Sequence, residues 1–270
     1  MKFSNLHQHS TFSDGKNSAE EIVLSAIEKN MESIGFSDHF STTYEISVGY
    51  NVITPQSYFD YYNEIQRLKI AYKDKITIFF GTEADLYSNI TNEKFDYLIG
   101  SVHYLEHNGK TYPIDHTARQ QDEYLEEVCN GDKLIFAKNY FDAIVSCIEK
   151  YKPDIIGHFD IITKFSKFDE DNPAYQKLAI EALRKCLKIT NLLEVNTGAI
   201  SRGYRTIPYP AKFLLCEAKK LGAKIILSAD SHNKDTVCYY FNESVALLKE
   251  IGFTHIFKLT TNGFIEEKIK

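Results

Sequence analysis

The chain has 270 residues, 43% hydrophobic and 25% charged, which is typical of a globular protein with a sizeable core. Its 31 Lys and Arg against 37 Asp and Glu give a formal net charge of -6, which argues against a nucleic-acid-binding protein with a basic surface. There is no signal-peptide pattern and no apolar run near the about 18 residues of a membrane span, so we expect a cytoplasmic protein.

Predicted helices and strands alternate along the chain. A first helix begins at the capping box Ser18-Ala19-Glu20-Glu21. A strand over 33–36, a helix over 58–71 and strands over 76–80 and 97–102 follow. A helical segment over 122–150 has a candidate break at Asn130-Gly131. The remaining pattern predicts, in order, a strand over 155–159, a helix over 174–190, a strand over 192–195, a helix over 211–221, a strand over 224–228, a helix over 236–251 and a strand over 255–259.

This alternation favours an α/β fold with a parallel sheet. Seven or eight such units in 270 residues fit a closed or nearly closed β/α barrel better than an open sheet. We expect one domain over residues 1–270, because no linker or repeat divides the sequence. The polar, aromatic segments 41–56 and 105–121 are expected to be lid-like loops, since function in such barrels lies on long loops after the strands.

Histidine and carboxylate residues recur where the apolar strands end. In the pairs His7-Gln8-His9 and Asp230-Ser231-His232, both ligand-type side chains point to one face, because side chains alternate along a strand. The C-terminal ends of barrel strands meet at one mouth, so these residues should converge there. The residues of this pattern are His7, His9, Asp14, His39, Glu83, His103, His158, Asp230 and His232; Glu194 and Asn196 also end a strand.

Each of these residues also has a plain structural interpretation. A single histidine after a strand can be structural, Asp14 can be a turn residue, and Glu83 can pair with an arginine. Asp38 can orient His39 or replace it as a ligand. A shared set of metal ions explains the whole series better, because many buried polar groups without partners would be costly. The sequence therefore predicts a multinuclear metal site.

These residues stand in motifs that resemble those of the PHP (polymerase and histidinol phosphatase) family over nearly the whole chain. The motifs are Leu6-His7-Gln8-His9, Ser13-Asp14-Gly15, Ser37-Asp38-His39, Gly81-Thr82-Glu83, Gly100-Ser101-Val102-His103, Gly157-His158, Glu194-Val195-Asn196-Thr197 and Asp230-Ser231-His232. The resemblance implies a distorted seven-stranded (β/α)7 TIM-like barrel that holds up to three divalent metal ions at the C-terminal strand ends.

The resemblance also implies which residues hold each metal. The first metal would be bound by His7, His9, Glu83 and Asp230. Glu83 would bridge to a second metal, which is also held by His103 and His158. The third would be held by Asp14, His39 and His232. Imidazole and carboxylate ligands without a thiolate suit Zn, Fe or Mn.

Within the family, Asp14, the long lids and Asn196-Thr197-Gly198 followed by basic residues resemble the histidinol-phosphate phosphatases of histidine biosynthesis. This likeness implies hydrolysis of L-histidinol phosphate to L-histidinol and phosphate by a hydroxide that bridges the metals. A phosphate dianion also calls for an arginine clamp, and Arg202 is the first candidate, whereas Arg205 is as easily a solvated loop residue. The expected catalytic residues are Glu83, Asp230 and Arg202; the expected substrate-binding residues are Arg202, Arg205, Tyr104, Asp115 and His116, with Tyr44 and Tyr50 as further lid aromatics.

Three other functions are compatible with these motifs. The same chemistry could act on a nucleoside phosphate or another phosphoester. A DNA 3′-5′ exonuclease is disfavoured by the acidic net charge of -6. A non-catalytic metal-binding module is disfavoured because all nine ligand positions are filled.

Overall fold

The computed structural model describes residues 2–165 and 167–269. The strands are β1 (Ser4–Asn5), β2 (Ser33–Phe36), β3 (His39–Phe40), β4 (Thr77–Asp85), β5 (Tyr97–Ser101), β6 (Tyr104–His107), β7 (Lys110–Pro113), β8 (Ile155–Ile156), β9 (Leu192–Asn196), β10 (Lys224–Ser228), β11 (His255–Thr260) and β12 (Gly263–Lys268). The helices are α1 (Ala19–Glu28), α2 (Thr43–Val48), α3 (Tyr58–Ala71), α4 (Ala118–Glu127), α5 (Lys133–Tyr151), α6 (Pro173–Leu187), α7 (Gly198–Ser201), α8 (Lys212–Lys220) and α9 (Phe241–Ile251), with 3-10 turns at Ile161–Phe165 and Lys234–Thr236.

The helix signals read from the sequence are confirmed where they rest on capping chemistry. Ser18 and Glu21 form the predicted capping box, because each side chain accepts a hydrogen bond from the backbone N–H of the other. The predicted break at Asn130-Gly131 separates α4 from α5, and both residues have positive φ angles, of 51° and 77°. Asp132 then caps the N-terminus of α5.

The main sheet is parallel and nearly closed into a barrel. Its strand order is β1-β2-β4-β5-β8-β9-β10, and β3 pairs with the C-terminal half of β4. The barrel is completed beyond the ends of β1 and β10 by a bridge between Gln8 and Ser231, where the His9 N–H donates to the Ser231 carbonyl at 3.0 Å. This closure brings residues near the N-terminus beside residues near position 230. The distorted (β/α)7 barrel expected from the sequence is confirmed.

Two predicted strands are present but differ in detail. The strand predicted over 255–259 is β11, which pairs antiparallel with β12 in a separate hairpin and does not join the barrel. The chain reverses at Thr261-Asn262, and β12 begins at Gly263, whose φ of 101° suits glycine. The strand predicted over 155–159 ends at Ile156, and the chain turns into the site at His158.

The two segments expected to be lid loops contain regular structure. Residues 41–56 include α2, which has its own capping box of Thr42 and Glu45. Residues 105–121 include most of the β6–β7 hairpin, which turns at Asn108-Gly109 with positive φ angles of 49° and 77°. Both segments nevertheless lie over the C-terminal mouth of the barrel and line its cavity.

Apolar side chains fill the barrel and the space between sheet and helices. The interior cluster contains fully buried Leu6, Ile99 and Ile155, with Ile226 almost as deep. The Tyr97 hydroxyl donates to the Phe36 carbonyl at 3.0 Å, so this buried tyrosine has a polar partner. The packed interior therefore supports the polar residues at the C-terminal mouth of the barrel. No helix within residues 2–165 and 167–269 is long and apolar enough to cross a membrane.

Candidate metal centre

The nine histidine and carboxylate residues predicted from the strand ends lie together at the C-terminal mouth of the barrel. They form four overlapping groups in which ligand-type atoms lie within 4.8 Å of one another. These groups are His7, His9 and Asp230; His7, Glu83 and His158; His39, Glu83 and His103; and His9, Asp14, His39 and His232.

Glu83 lies at the centre of this cluster. Its Oε1 is 2.8 Å from His158 Nε2 and 3.4 Å from His103 Nε2. Its Oε2 is 3.2 Å from both His7 Nε2 and His39 Nδ1. The two carboxylate oxygens therefore face different histidines, which is the arrangement that a bridging ligand requires.

The outer part of the cluster is closer to solvent. His232 Nε2 lies 3.1 Å from Asp14 Oδ2, and His39 Nε2 lies 3.8 Å from Asp14 Oδ1. His9 is fully buried and its ring stacks on that of His232 at 4.3 Å between centroids, whereas the Asp14 side chain is 53% exposed. This group could hold a cation that also contacts solvent or a ligand.

Several buried polar atoms of the cluster have no hydrogen-bond partner among the residues that the structure describes. They are His7 Nε2, His9 Nδ1 and Nε2, Glu83 Oε2 and His158 Nδ1. Leaving such atoms unpaired is costly, and cations coordinated by these nitrogens and oxygens would remove most of that cost. The donor set therefore fits divalent metal ions.

The electrostatics of the cluster agree with this fit. Burial opposes ionisation of Glu83, but the nearby imidazoles of His7, His103 and His39 outweigh it and hold the pKa of Glu83 well below its usual value. Burial, together with the neighbouring His232 and His39, lowers the pKa of His9 to about 3. Burial also opposes the charge of His7, His39 and His103, but the neighbouring carboxylates outweigh it and raise the pKa of all three. These imidazoles therefore hold protons that a bound cation would displace.

Glu194 supports the cluster from behind, a role that the sequence did not reveal. Its Oε2 lies 2.7 Å from His7 Nδ1, and its Oε1 accepts hydrogen bonds from the His158 backbone N–H at 2.8 Å and the Asn196 amide at 2.7 Å. The first contact turns His7 Nε2 toward Glu83. Such carboxylate partners fix the orientation and tautomer of a ligating histidine.

Asp38 takes neither of the two roles considered for it. Its carboxylate accepts hydrogen bonds from the Ser10 backbone N–H, the Ser10 hydroxyl and the Ser13 hydroxyl at 2.7–2.9 Å. These contacts fix the turn that carries Asp14 into the site. Asp38 therefore positions Asp14 rather than His39.

A cavity of about 320 Å³ opens above the cluster. Of the predicted substrate-binding residues, it is lined by Arg202, Tyr104, Asp115 and His116. Arg202 donates to the Asp230 carbonyl at 2.9 Å and to Asp230 Oδ2 at 3.1 Å, so its guanidinium stands at the edge of the cluster. The Tyr50 and His116 rings stack across the cavity mouth at 5.6 Å.

Arg205 is not brought into this cavity. Its Nη1 binds Glu170 Oε1 at 2.6 Å and the Thr163 hydroxyl at 2.5 Å. Its side chain is only 6% exposed, and these contacts tie it to buried Thr163 and half-buried Glu170 instead of the mouth. The expectation that Arg205 binds substrate is therefore corrected.

Lys164 lines the cavity and was not singled out from the sequence. Its Nζ donates to the Asp115 carbonyl at 2.6 Å and lies 3.2 Å from Asp115 Oδ2. The residue is nearly buried, at 8% exposure, in the 3-10 turn that follows the His158 strand end. A lysine within the apolar run Ile161–Phe165 was the available signal, because lysine is rarely buried without a role.

Two named proteins are similar in sequence to this chain over most of its length. The chain is 27% identical over 257 residues to a Schizosaccharomyces pombe protein named "Probable histidinol-phosphatase", with 88% of this chain and 82% of the relative covered. It is also 27% identical over 270 residues to the Histidinol-phosphatase of Lactococcus lactis, with 94% and 93% covered.

A solved structure shares the fold, and one family covers most of the barrel. The crystal structure of the Lactococcus lactis histidinol phosphate phosphatase, complexed with zinc, L-histidinol and phosphate, has a TM-score of 0.75 and 24% identity, and the match covers 98% of this chain and 99% of that chain. The PHP domain matches residues 5–198, more than half of the sequence. Because the family match covers more than half of the sequence, and the strand-end ligands form one cluster, the chain belongs to the PHP domain family.

Proposed function

We propose that the chain is a metal-dependent phosphomonoesterase that hydrolyses L-histidinol phosphate to L-histidinol and phosphate. The observation that carries this proposal is a single cavity with a histidine–carboxylate floor and a cationic edge at Arg202. Relatives named histidinol-phosphatase, similar over about nine-tenths of the chain, support the choice of substrate.

The proposed cofactor is a set of three divalent ions, of Zn, Fe or Mn. His7, His9, Glu83 and Asp230 would hold the first ion, and Glu83 with His103 and His158 the second. Asp14, His39 and His232 would hold the third, with buried His9 beside them. When bound, such ions activate a water molecule as a nucleophile and neutralise the charge that develops on phosphate.

The residues of the chain then have distinct tasks. Arg202 donates a hydrogen bond to a phosphoryl oxygen, since its guanidinium lines the cavity and Nη2, which makes one hydrogen bond to Asp230 Oδ2, carries a second N–H. Lys164 lines the same cavity, where it pairs with Asp115. Tyr50, Tyr104 and His116 close the mouth around the leaving group and limit the access of water.

The site also supports the proposal that residues 1–270 act as one domain. His7 and His9 come from the start of the chain, whereas Asp230 and His232 come from near its end. Barrel closure between Gln8 and Ser231 is needed to bring them together. Neither half of the chain could form the cluster alone.

The proposal is tested by phosphate release from several esters in parallel. We expect the metal-loaded protein to hydrolyse L-histidinol phosphate at least about a hundredfold faster than nucleotides, sugar phosphates or a short single-stranded DNA, because a cavity of about 320 Å³ favours a small substrate. A chelator should abolish this activity. Preference for a nucleotide or DNA would overturn the substrate, and silence on every ester would overturn the enzymatic function.

A further inference from the structure

One carboxylate in the cavity has no task in the proposed reaction. Three of the cavity carboxylates belong to the histidine cluster, and a fourth, Asp115, is neutralised by Lys164 at 3.2 Å. The fifth, Glu45 on α2, has no ion-pair partner within residues 2–165 and 167–269. The five carboxylates that line the cavity are Asp14, Glu45, Glu83, Asp115 and Asp230.

Two hydrogen bonds hold the Glu45 carboxylate in place, although it forms no ion pair within the described residues. Its Oε2 accepts a hydrogen bond from the Thr42 backbone N–H at 2.7 Å, and its Oε1 accepts one from the Tyr104 hydroxyl at 3.0 Å. Each carboxylate oxygen can accept a further hydrogen bond. The residue is only 4% exposed, and a buried charge without a counter-ion is unfavourable. A cationic group of a bound ligand would offset that cost.

The position of Glu45 relative to the metal cluster defines where such a group would lie. Tyr104, its hydrogen-bond partner, directly follows His103, and the two rings are 6.4 Å apart between centroids. His103 in turn lies 3.4 Å from Glu83. Glu45 therefore lines the same cavity as the cluster and is linked to the ligand-type residue His103 through Tyr104.

We infer that Glu45 is a specificity-determining residue that binds the ammonium group of the leaving alcohol, so that the site selects phosphate esters of amino alcohols over esters of uncharged alcohols. The inference rests on the proposed phosphomonoesterase function. L-histidinol phosphate carries its ammonium group on a short linker between phosphate and imidazole. Asp115 is less suited to this task because Lys164 already satisfies its charge.

The variant E45Q removes the charge and keeps the local structure. Glutamine also serves at this position of a capping box, so α2 should still form. The matched control is E106Q, which makes the same change at an exposed glutamate two residues beyond Tyr104. Metal content and melting temperature of both variants should equal those of the wild-type protein.

The test compares L-histidinol phosphate with its deaminated analogue, 3-(imidazol-4-yl)propyl phosphate. We expect E45Q to lower kcat/KM for the amino ester by about 10- to 100-fold, the value of a charge-assisted hydrogen bond, and to change the deaminated ester by less than about twofold. E106Q should leave both esters unchanged. If E45Q leaves the ratio of the two kcat/KM values unaltered, whether both values stay the same or both fall equally, the inference is overturned.

The wild-type protein provides an independent measurement should E45Q not fold. L-histidinol should inhibit the reaction more strongly than 3-(imidazol-4-yl)propanol, again by about 10-fold or more. Equal rates on both esters and equal inhibition by both alcohols would overturn the role of Glu45 while the phosphatase function stands. Hydrolysis of neither ester would overturn the proposed function and the inference with it.

Discussion

At the scale of single residues, two kinds of side chain meet at the mouth of the barrel. One kind is suited to bind metal ions, and the other carries positive charge suited to a phosphate. Arg202 stands at this boundary, because it contacts Asp230 and also lines the open cavity. Burial opposes its charge, but the Asp230 carboxylate outweighs that effect and raises the pKa of Arg202 above its usual value. The guanidinium therefore stays positively charged where phosphate would bind.

Replacement of Arg202 tests whether this residue binds phosphate without contributing to metal binding. We expect Arg202→Ala to lower kcat/KM by about a hundredfold or more, because a charge-assisted contact to the phosphoryl group is lost. Elemental analysis should find unchanged metal content. The matched control is Arg205→Ala, which removes an arginine outside the cavity and should leave turnover close to wild type. A metal-depleted Arg202→Ala protein would contradict the clamp role.

The residues that could be predicted from the sequence are those whose position along a strand determines their direction. The nine ligand-type residues converge as expected, because each follows the C-terminal end of a strand or lies near it. The tasks of Glu194 and Lys164 depend on partners that are distant in sequence. Glu194, for example, meets His7 across 187 positions, and no local pattern encodes that contact.

At the scale of elements, the segment 41–56, expected to be the first lid, is tied to the turn that carries Asp14. Asn51 donates hydrogen bonds from its side-chain amide to the Thr11 carbonyl at 2.8 Å and the Ser13 carbonyl at 2.6 Å. Asn51 follows Tyr50, which stacks on His116 at the mouth. The lid and the outer ligand group are therefore linked through one exposed side chain.

Loss of this link should loosen the lid without removing the site. In Asn51→Ala, two hydrogen bonds worth about 1 kcal/mol each are absent, so amide exchange over α2 should accelerate by about tenfold or more. KM for the substrate should rise several-fold, whereas metal content should not change. Asn63→Ala on the outer face of α3 is the matched control. Equal exchange rates in the two variants would show that Asn51 does not hold the lid.

Elements were predicted well where a local signal determines them. The α4–α5 break follows from an Asn-Gly pair that can adopt positive φ, and the α1 start follows from its capping box. The strand at 255–259 was identified, but its partner was not, because strand propensity does not specify which strand lies alongside. Helix α2, within the segment 41–56, was missed because a helix of 6 residues is too short to give a clear periodicity.

At the scale of the whole molecule, the sheet and the cluster depend on each other. The bridge between Gln8 and Ser231 completes the barrel and also joins the ligands His7 and His9 to Asp230 and His232. The barrel itself could be predicted from the alternation of strands and helices. The residues that close the barrel could not, because they form an isolated bridge beyond the regular strands.

Metal binding should therefore stabilise the whole fold. A ligand present at about a hundred times its dissociation constant adds about 2.7 kcal/mol to the stability of the folded state. For a chain of this size we expect a chelator to lower Tm by about 5–10 °C in a thermal-unfolding experiment. Chelator saturated with zinc beforehand should have no effect. An unchanged Tm after verified loss of metal would contradict the structural role of the cluster.

The most direct test of a multinuclear phosphatase is a metal titration of the metal-free protein, followed by phosphate release from L-histidinol phosphate. Zn or Mn is added in measured equivalents, and bound metal is counted at each point by elemental analysis. The account predicts no activity without metal and a rise that reaches its plateau when three ions are bound per chain. Full activity in metal-free protein, or no hydrolysis of L-histidinol phosphate at any loading, would contradict it.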